Sequence, residues 1–216
     1  MSRLRMNTPV LRFCNLSESS RLSKENQSAL SRLIYNTDQY IYPAMFGDMK
    51  NAELLIPLLF QRNDSMFRLS NCFVAFLKNE IIGLILWTRG SLCWSPQLLR
   101  ELAQRNLLTI SPFLEKVANE YIDIYEEKDQ EDHVSLINVS VLKHYSGLGV
   151  GTSMLKSFLH TVHACAYSLC VLQDNTIAVK LYQTLGFSVV EEYNGFSIDD
   201  RPLPAFRMER REHEEG

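Results

Sequence analysis

One short run of the chain has the composition of an anion-binding loop. It reads Ser146-Gly147-Leu148-Gly149-Val150-Gly151-Thr152, with glycine at every second position. Residues without a Cβ atom let the backbone approach a ligand closely, and the N–H groups of a helix that starts here carry a partial positive charge. The run therefore predicts a cradle for an anion, and phosphate is the anion that fits it best.

The elements on either side must place this loop correctly. Residues 134–141 are rich in β-branched side chains and predict a strand that ends before the loop. The residues after the loop show apolar helical spacing, carried by Met154, Leu155, Phe158 and Leu159. A second strand is predicted over 168–172. The loop is thus expected at a strand-to-helix junction.

Two common phosphate motifs are poor matches. A P-loop needs Gly-Lys-Ser/Thr at the start of its helix, and no lysine follows Gly149 or Gly151. A dinucleotide fingerprint fits partly through Gly147, Gly149 and Thr152, with Asp174 at about the expected spacing, but its third glycine is missing. A fragment of a nicotinamide-dependent reductase stays as a rival hypothesis.

A third pattern accounts for more of the sequence. Residues 141–151 resemble the acetyl-coenzyme A signature Arg/Gln-x-x-Gly-x-Gly/Ala of the GNAT superfamily of N-acetyltransferases. Residues 175–187 are similar to that family's block Asn-x-x-Ala-x-x-x-Tyr-x-x-x-Gly-Phe, with Asn175, Ala178, Tyr182, Gly186 and Phe187 in register. The two motifs cover roughly the last third of the chain.

The resemblance implies both a fold and a reaction. The fold is an α/β domain with a mixed, mostly antiparallel twisted sheet flanked by helices. The reaction moves an acetyl group from acetyl-coenzyme A, a co-substrate, to a primary amine by direct attack in a ternary complex. The acceptor is a small-molecule amine or a peptide N-terminus.

Site residues follow from the resemblance position by position. Tyr182 matches the tyrosine that protonates the departing thiolate. The positions that match the family's cofactor site are Val139, Val141, Ser146, Gly147, Leu148, Gly149, Val150, Gly151, Thr152 and Asn175. No metal is expected, since His160, His163 and Cys165 have no second cluster to complete a ligand set.

Two departures from the family pattern leave an alternative open. Ser146 stands where the family has Arg or Gln, and Asn138 stands on the strand where many members carry a glutamate base. Glu131, Asp132, His133 and His144 lie nearby, but none is singled out as a base. A catalytically degenerate module that binds coenzyme A without turnover would show both features.

Upstream of the loop, periodicity predicts a strand over 10–14 and a helix over 24–35, capped by Ser17, Ser19 or Ser20. A second helix is predicted over 51–61. Its buried residues are expected to be Leu54, Leu55, Leu58 and Leu59. A hairpin is predicted from 72–77 and 81–87 around a turn at 78–79.

Two segments fall outside the family pattern. Residues 91–132 predict a helical insertion, with helices over 96–106 and 111–127. It is interpreted either as a lid over the acceptor site whose acidic edge attracts a cationic amine, or as helices packed on the sheet, and its apolar face would also suit a homodimer contact. The charged residues 209–216 are expected to form a frayed tail.

Composition limits the remaining choices. The chain has 216 residues, 46% of them hydrophobic, which predicts one domain over 1–216. A formal net charge of −3 gives no reason to expect a nucleic-acid partner. Five scattered cysteines and no apolar stretch long enough for a membrane span predict a cytoplasmic protein with no membrane contact.

Overall fold

The computed structural model describes residues 10–90, 132–194, 197–198 and 201–212, apart from the side chains of Ala44, Ile198 and Arg201. The predicted insertion at 91–132 lies outside the described residues except for its last position. In chain order the elements are β1 (Leu11–Asn15), α1 (Lys24–Tyr35), α2 (Ile41–Phe46), α3 (Met49–Leu59), β2 (Cys72–Leu77), β3 (Glu80–Arg89), β4 (His133–Val141), α4 (Val150–Thr161), β5 (Ala166–Leu172), α5 (Thr176–Thr184), β6 (Ser188–Tyr193), β7 (Ser197–Ile198), β8 (Arg201–Pro202) and β9 (Ala205–Arg211).

Seven of these strands form one sheet in the order β1-β2-β3-β4-β5-β9-β6, and β7 pairs with β8 separately. Strands β4 and β5 run parallel, whereas every other neighbouring pair in the large sheet is antiparallel. The connection between β4 and β5 is helix α4, as a parallel crossover requires. This is the predicted mixed, mostly antiparallel sheet flanked by helices.

The sheet separates two apolar layers. On one face α1, α2 and α3 pack through residues such as Leu30, Ile34 and Ile56. On the other face α4 presents the residues whose spacing predicted its buried side, namely Met154, Leu155, Phe158 and Leu159, all at or below 8% exposure. Within the described residues, no helix combines the length and apolar character that crossing a bilayer needs.

Helix α1 has the predicted span but a different cap. Ser23 accepts a hydrogen bond from the backbone N–H of Asn26 at 3.2 Å. The three serines proposed as caps bond to one another instead, with Ser17 Oγ 3.0 Å from Ser19 Oγ and 3.2 Å from Ser20 Oγ. The predicted cap was wrong because this serine cluster closes its own turn before the helix begins.

The predicted buried face of α3 was wrong at two positions. Leu54 and Leu58 are 63% and 55% exposed, whereas Leu55 and Leu59 are buried. The helix starts earlier than expected, at Met49, because Asp48 caps it by accepting from the backbone N–H of Asn51 at 2.8 Å. Leu54 and Leu58 lie outside the apolar cluster that the buried residues of α1 and α3 form.

The C-terminal segment is not a frayed tail at 209–211. These residues belong to β9, which lies between β5 and β6 in the sheet. Its charged side chains conceal the strand in the sequence, and they pair along the sheet surface: Arg207 Nη2 lies 2.8 Å from Glu209 Oε1. Strands β6 and β9 were both missed by the sequence analysis.

Three buried polar side chains form a row of hydrogen bonds between β4 and β5, where the two parallel strands begin. His133 Nε2 lies 2.7 Å from Ser168 Oγ, which lies 3.2 Å from Ser135 Oγ, and all three residues are less than 5% exposed. Burial lowers the pKa of His133; the neighbouring charge of Glu209 opposes this effect and that of Arg211 adds to it. The folded protein therefore holds this imidazole neutral at pH values where a free histidine is protonated.

This burial predicts acid sensitivity. The unfolded chain takes up a proton on His133 near pH 6.5, whereas the folded chain takes it up only at lower pH, so this residue reduces stability as the pH falls below about 6.5. One proton limits its effect to about 1.4 kcal/mol per pH unit. Urea unfolding between pH 7.5 and 5 should show a steeper loss of stability for the wild type than for His133→Gln. Parallel pH profiles would contradict the assignment.

Candidate functional site

The parallel strands β4 and β5 separate partway along their length. Their pairing runs from His133 opposite Ala166 to Leu136 opposite Leu169 and then stops, although β4 continues to Val141 and β5 to Leu172. The other edge of β4 stays paired with β3 as far as Val141. The far half of β4 therefore has no partner strand on its β5 side, which leaves backbone groups there without ladder hydrogen bonds.

A cavity of about 530 Å³ occupies this separation. Its walls come from β4 and β5, from the start of α5, from the connection between α1 and α2, and from the region of β6 and β9. Residues that line it include Asp38, Asn138, Val139, Cys170, Asn175, Tyr182 and Tyr193. It is the point at which five parts of the fold meet.

A β-bulge marks the place where the strands separate. Leu86 pairs with Asn138 and Trp87 pairs with Leu136, so Ile137 is an extra residue on β4. Beyond the bulge Asn138 is 3% exposed, and its Oδ1 accepts a hydrogen bond from the hydroxyl of Tyr42 at 2.8 Å. This bond ties α2 to the cavity wall.

The glycine-rich run connects β4 to α4 as predicted. A 3₁₀ turn, Lys143–Tyr145, precedes it, and Gly147 and Gly149 have positive φ angles of 77° and 79°, which other residues adopt at a cost. Ser146 and Leu148 are exposed, Val150 is buried, and Gly151 and Thr152 are half-buried. These residues do not line the 530 Å³ cavity; they follow it at the end of β4.

Helix α4 presents an uncapped N-terminus at this loop. Side chains of Ser23, Asp48 and Asn175 cap α1, α3 and α5, respectively. No side chain caps α4 at Gly149, and its first turn contains no acidic residue. The free N–H groups of that turn are suited to bind an anion.

The second motif forms α5 and borders the cavity. Asn175 caps this helix, its Oδ1 accepting from the backbone N–H of Ala178 at 3.2 Å, while the amide also lines the cavity. Tyr182 is 8% exposed and lies edge-to-face with Phe187, with ring centroids 5.9 Å apart. Its hydroxyl has no hydrogen-bond partner among the described residues, and burial raises the pKa of this phenol. It stays protonated at neutral pH.

The candidate bases from the sequence that the structure describes lie elsewhere. Asp132 pairs with Arg89 and accepts from Cys165, and His144 is exposed against the ring of Tyr145. None of them lines the cavity, nor does the buried His133. Across the described ranges, no group of three or more His, Cys, Asp or Glu residues could hold a metal ion.

Two carboxylates do line the cavity, Asp38 and Asp174. The sequence analysis missed Asp38, which lies between α1 and α2. In the sequence, Asp38 has only the signature of an aspartate at the start of a helix. In the structure it acts as one, because its Oδ1 accepts from the backbone N–H groups of Tyr40 and Ile41 at 2.7 and 2.6 Å. Asp174 was noted only for its spacing from the glycine run.

The bond between Tyr42 and Asn138 should stabilise the cavity wall. Tyr42→Phe removes the donor and leaves a buried amide oxygen without this partner, which should cost about 1–3 kcal/mol of unfolding free energy. Tyr35→Phe is the matched control, since it removes a hydroxyl that donates to Gly47 O at 2.9 Å in an exposed setting. Urea unfolding should show the larger loss for Tyr42→Phe; equal losses would contradict the role.

Comparison with known proteins shows the family. The acetyltransferase (GNAT) family model matches residues 39–187. A probable spermine N(1)-acetyltransferase of Bacillus subtilis subsp. natto is 32% identical over 75 residues, which are 33% of this chain and 47% of that protein. The match thus spans about half the length of this curated relative.

Solved structures share the fold at low identity. An N-acetyltransferase from Staphylococcus aureus Mu50 superposes with a TM-score of 0.57 at 16% identity, covering 92% of this chain and 99% of that one. A chain of the NatC complex bound to Gag peptide and CoA gives 0.55 at 12% identity, covering 94% and 99%. With the sheet, the separated strands and the glycine loop, these matches lead to one conclusion: the chain belongs to the GNAT family of acetyltransferases.

Proposed function

We propose that this chain is an acetyl-coenzyme A-dependent N-acetyltransferase that acetylates a primary amine by direct attack in a ternary complex. We propose further that residues 1–216 act as one domain. The observation that carries the activity is the cavity between β4 and β5, which brings a buried, protonated Tyr182 to a strand edge with unpaired backbone groups. The uncapped start of α4 follows along the same strand.

The proposed co-substrate extends along β4. The pyrophosphate would bind the N–H groups of residues 146–152, where the helix start supplies positive potential without a lysine. The pantetheine arm would then run beside Val139 and Val141, and its amides would take the place of the missing β5 partner. Because most of these contacts are made by the backbone, Ser146 in place of Arg or Gln is compatible with binding.

The chemistry needs a proton for the leaving group. The lone pair of the amine attacks the thioester carbonyl carbon, the C–S bond breaks, and the sulfur leaves as a thiolate. Tyr182 is placed to give that thiolate its hydroxyl proton, and its raised pKa keeps the proton available at neutral pH. The nitrogen gives up its surplus proton to water, and the phenolate of Tyr182 takes a proton back from water, so that no net charge stays in the site.

Relatives suggest the class of acceptor. The curated relative is named for spermine, and the NatC structure contains a peptide. Both acceptor types present a primary amine on a flexible chain. We propose that the acceptor of this protein is a small amine or a peptide N-terminus that enters beside the connection between α1 and α2.

The rival function is a degenerate module that binds coenzyme A without turnover. Ser146 and the absence of a glutamate base on β4 favour it. Tyr182 favours the enzyme, because its phenol lines the cavity as a protonated donor with no hydrogen-bond partner among the described residues. The two functions differ in one measurable respect, which is thiol release.

Cofactor binding is the first test. Titration calorimetry should show micromolar binding of acetyl-coenzyme A and none of nicotinamide dinucleotides. Gly149→Trp should abolish it by placing an indole over the helix start. Gly90→Trp is the matched control, since Gly90 also has a positive φ angle and no atom within 4 Å of its Cβ position, but it lies outside the loop. Unchanged binding in Gly149→Trp would contradict the assignment of the loop.

Turnover is the second test. Tyr182→Phe should lower kcat for amine acetylation about 100-fold or more, because it removes a general acid, while acetyl-coenzyme A binding is kept. Thiol release over a panel of amines measures kcat, and calorimetry supplies the binding control. Wild-type binding without turnover on any amine would favour the degenerate module; full activity in Tyr182→Phe would remove Tyr182 from the mechanism.

A further inference from the structure

Asp38 is a fixed negative charge at the cavity. It lies in the five-residue connection between α1 and α2, where hydrogen bonds hold the neighbouring residues in place. Thr37 Oγ1 donates to Leu33 O at 2.6 Å, and Asp38 Oδ1 accepts from Tyr40 and Ile41. Oδ2 has no partner among the described residues. One oxygen therefore anchors the carboxylate and the other is available to a ligand.

The charged side chains in the described part of the cavity wall are all negative. Of the described residues that line it, Asp38 and Asp174 are acidic and none is lysine or arginine. The other polar side chains of the described wall are amides, a thiol, phenols and the hydroxyl of Thr37. Such a wall favours a cationic ligand and disfavours an anionic one.

The position of the cation on the acceptor follows from the chemistry. A carboxylate beside an ammonium group stabilises the protonated form, and a protonated nitrogen cannot attack a thioester. If Asp38 bound the reacting nitrogen, it would slow the reaction. The carboxylate serves catalysis better by binding a second ammonium on the same molecule, which leaves the reacting amine free to lose its proton.

We propose that Asp38 binds the distal ammonium of the acceptor, so that the substrates of this enzyme are linear diamines or polyamines. This proposal rests on the proposed acetyltransferase function and specifies its acceptor class. A monoamine of the same length lacks the distal charge, so it gains nothing from Asp38. Selectivity between such a pair therefore reports directly on this carboxylate.

Asp38→Asn tests the charge alone, because it removes the negative charge and keeps an oxygen that can accept the two backbone hydrogen bonds. The amide oxygen of asparagine can accept from Tyr40 and Ile41 as the carboxylate does, so the melting temperature should stay close to that of the wild type. Asp48→Asn is the matched control. Asp48 is also an aspartate that caps a helix, ten residues further on, but it is exposed and does not line the cavity.

The experiment compares 1,4-diaminobutane with butylamine. Calorimetry on the enzyme, with and without saturating coenzyme A, gives their dissociation constants without turnover, and thiol release with acetyl-coenzyme A gives kcat/KM. We expect the wild type and Asp48→Asn to prefer the diamine by about tenfold or more in both measurements. In Asp38→Asn the ratio should fall towards one because diamine affinity is lost, with butylamine unchanged.

Three results would overturn the proposal: equal use of the two amines by the wild type, a preference that survives in Asp38→Asn, or binding of neither amine. Failure of the proposed function has a different signature. A wild type that binds the diamine through Asp38 but shows no acetyl-coenzyme A binding or thiol release would retain the amine site and lose the acetyltransferase assignment.

Discussion

The loss of pairing between β4 and β5 after Leu136 and Leu169 is the constraint on which the rest of the structure depends. A sheet interior does not leave strand edges open without cost, because each buried, unpaired N–H or C=O group needs another partner. Here the opening is held apart from both sides. The bulge at Ile137 and the bond from Tyr42 to Asn138 fix the β4 wall, while β9 keeps the β5 wall paired along its whole length.

Two polar side chains of different character line that opening. Tyr182 approaches it from α5 as a buried, neutral donor, and Asp38 approaches it from the α1–α2 connection as a charged acceptor anchored by backbone N–H groups. The two come from helical segments of different apolar layers, so the sheet itself holds them apart. The cavity thus has a neutral proton donor and a charged acceptor in the same wall.

Local signals carried most of what the sequence could predict. The glycine run, the apolar face of α4 and the order of the strands from β1 to β5 depend on neighbours within a few residues, and the sequence predicted them. The short helix α2 (Ile41–Phe46) was not predicted. The separation of β4 from β5 depends on which strands pair, which no local pattern states. Asp38 was missed for a related reason: its sequence context is that of a helix cap, and only the tertiary fold places it at the cavity. Strand β9 was missed, and its residues 209–211 were predicted as a frayed tail, because paired charges such as Arg207 and Glu209 replace the apolar alternation of a strand.

The position of β9 has a consequence for how the chain is made. Although it follows β6 in the sequence, it lies between β5 and β6 in the sheet, and it contributes Ala205 to the cavity wall. During synthesis β6 leaves the ribosome before the strand it must pair with, and one edge of β5 stays open until then. The nascent protein can assemble α1 to α4 around the first four strands early, but the acceptor cavity closes last. Until then the edge of β5 that β9 covers has backbone groups open to pairing with another chain.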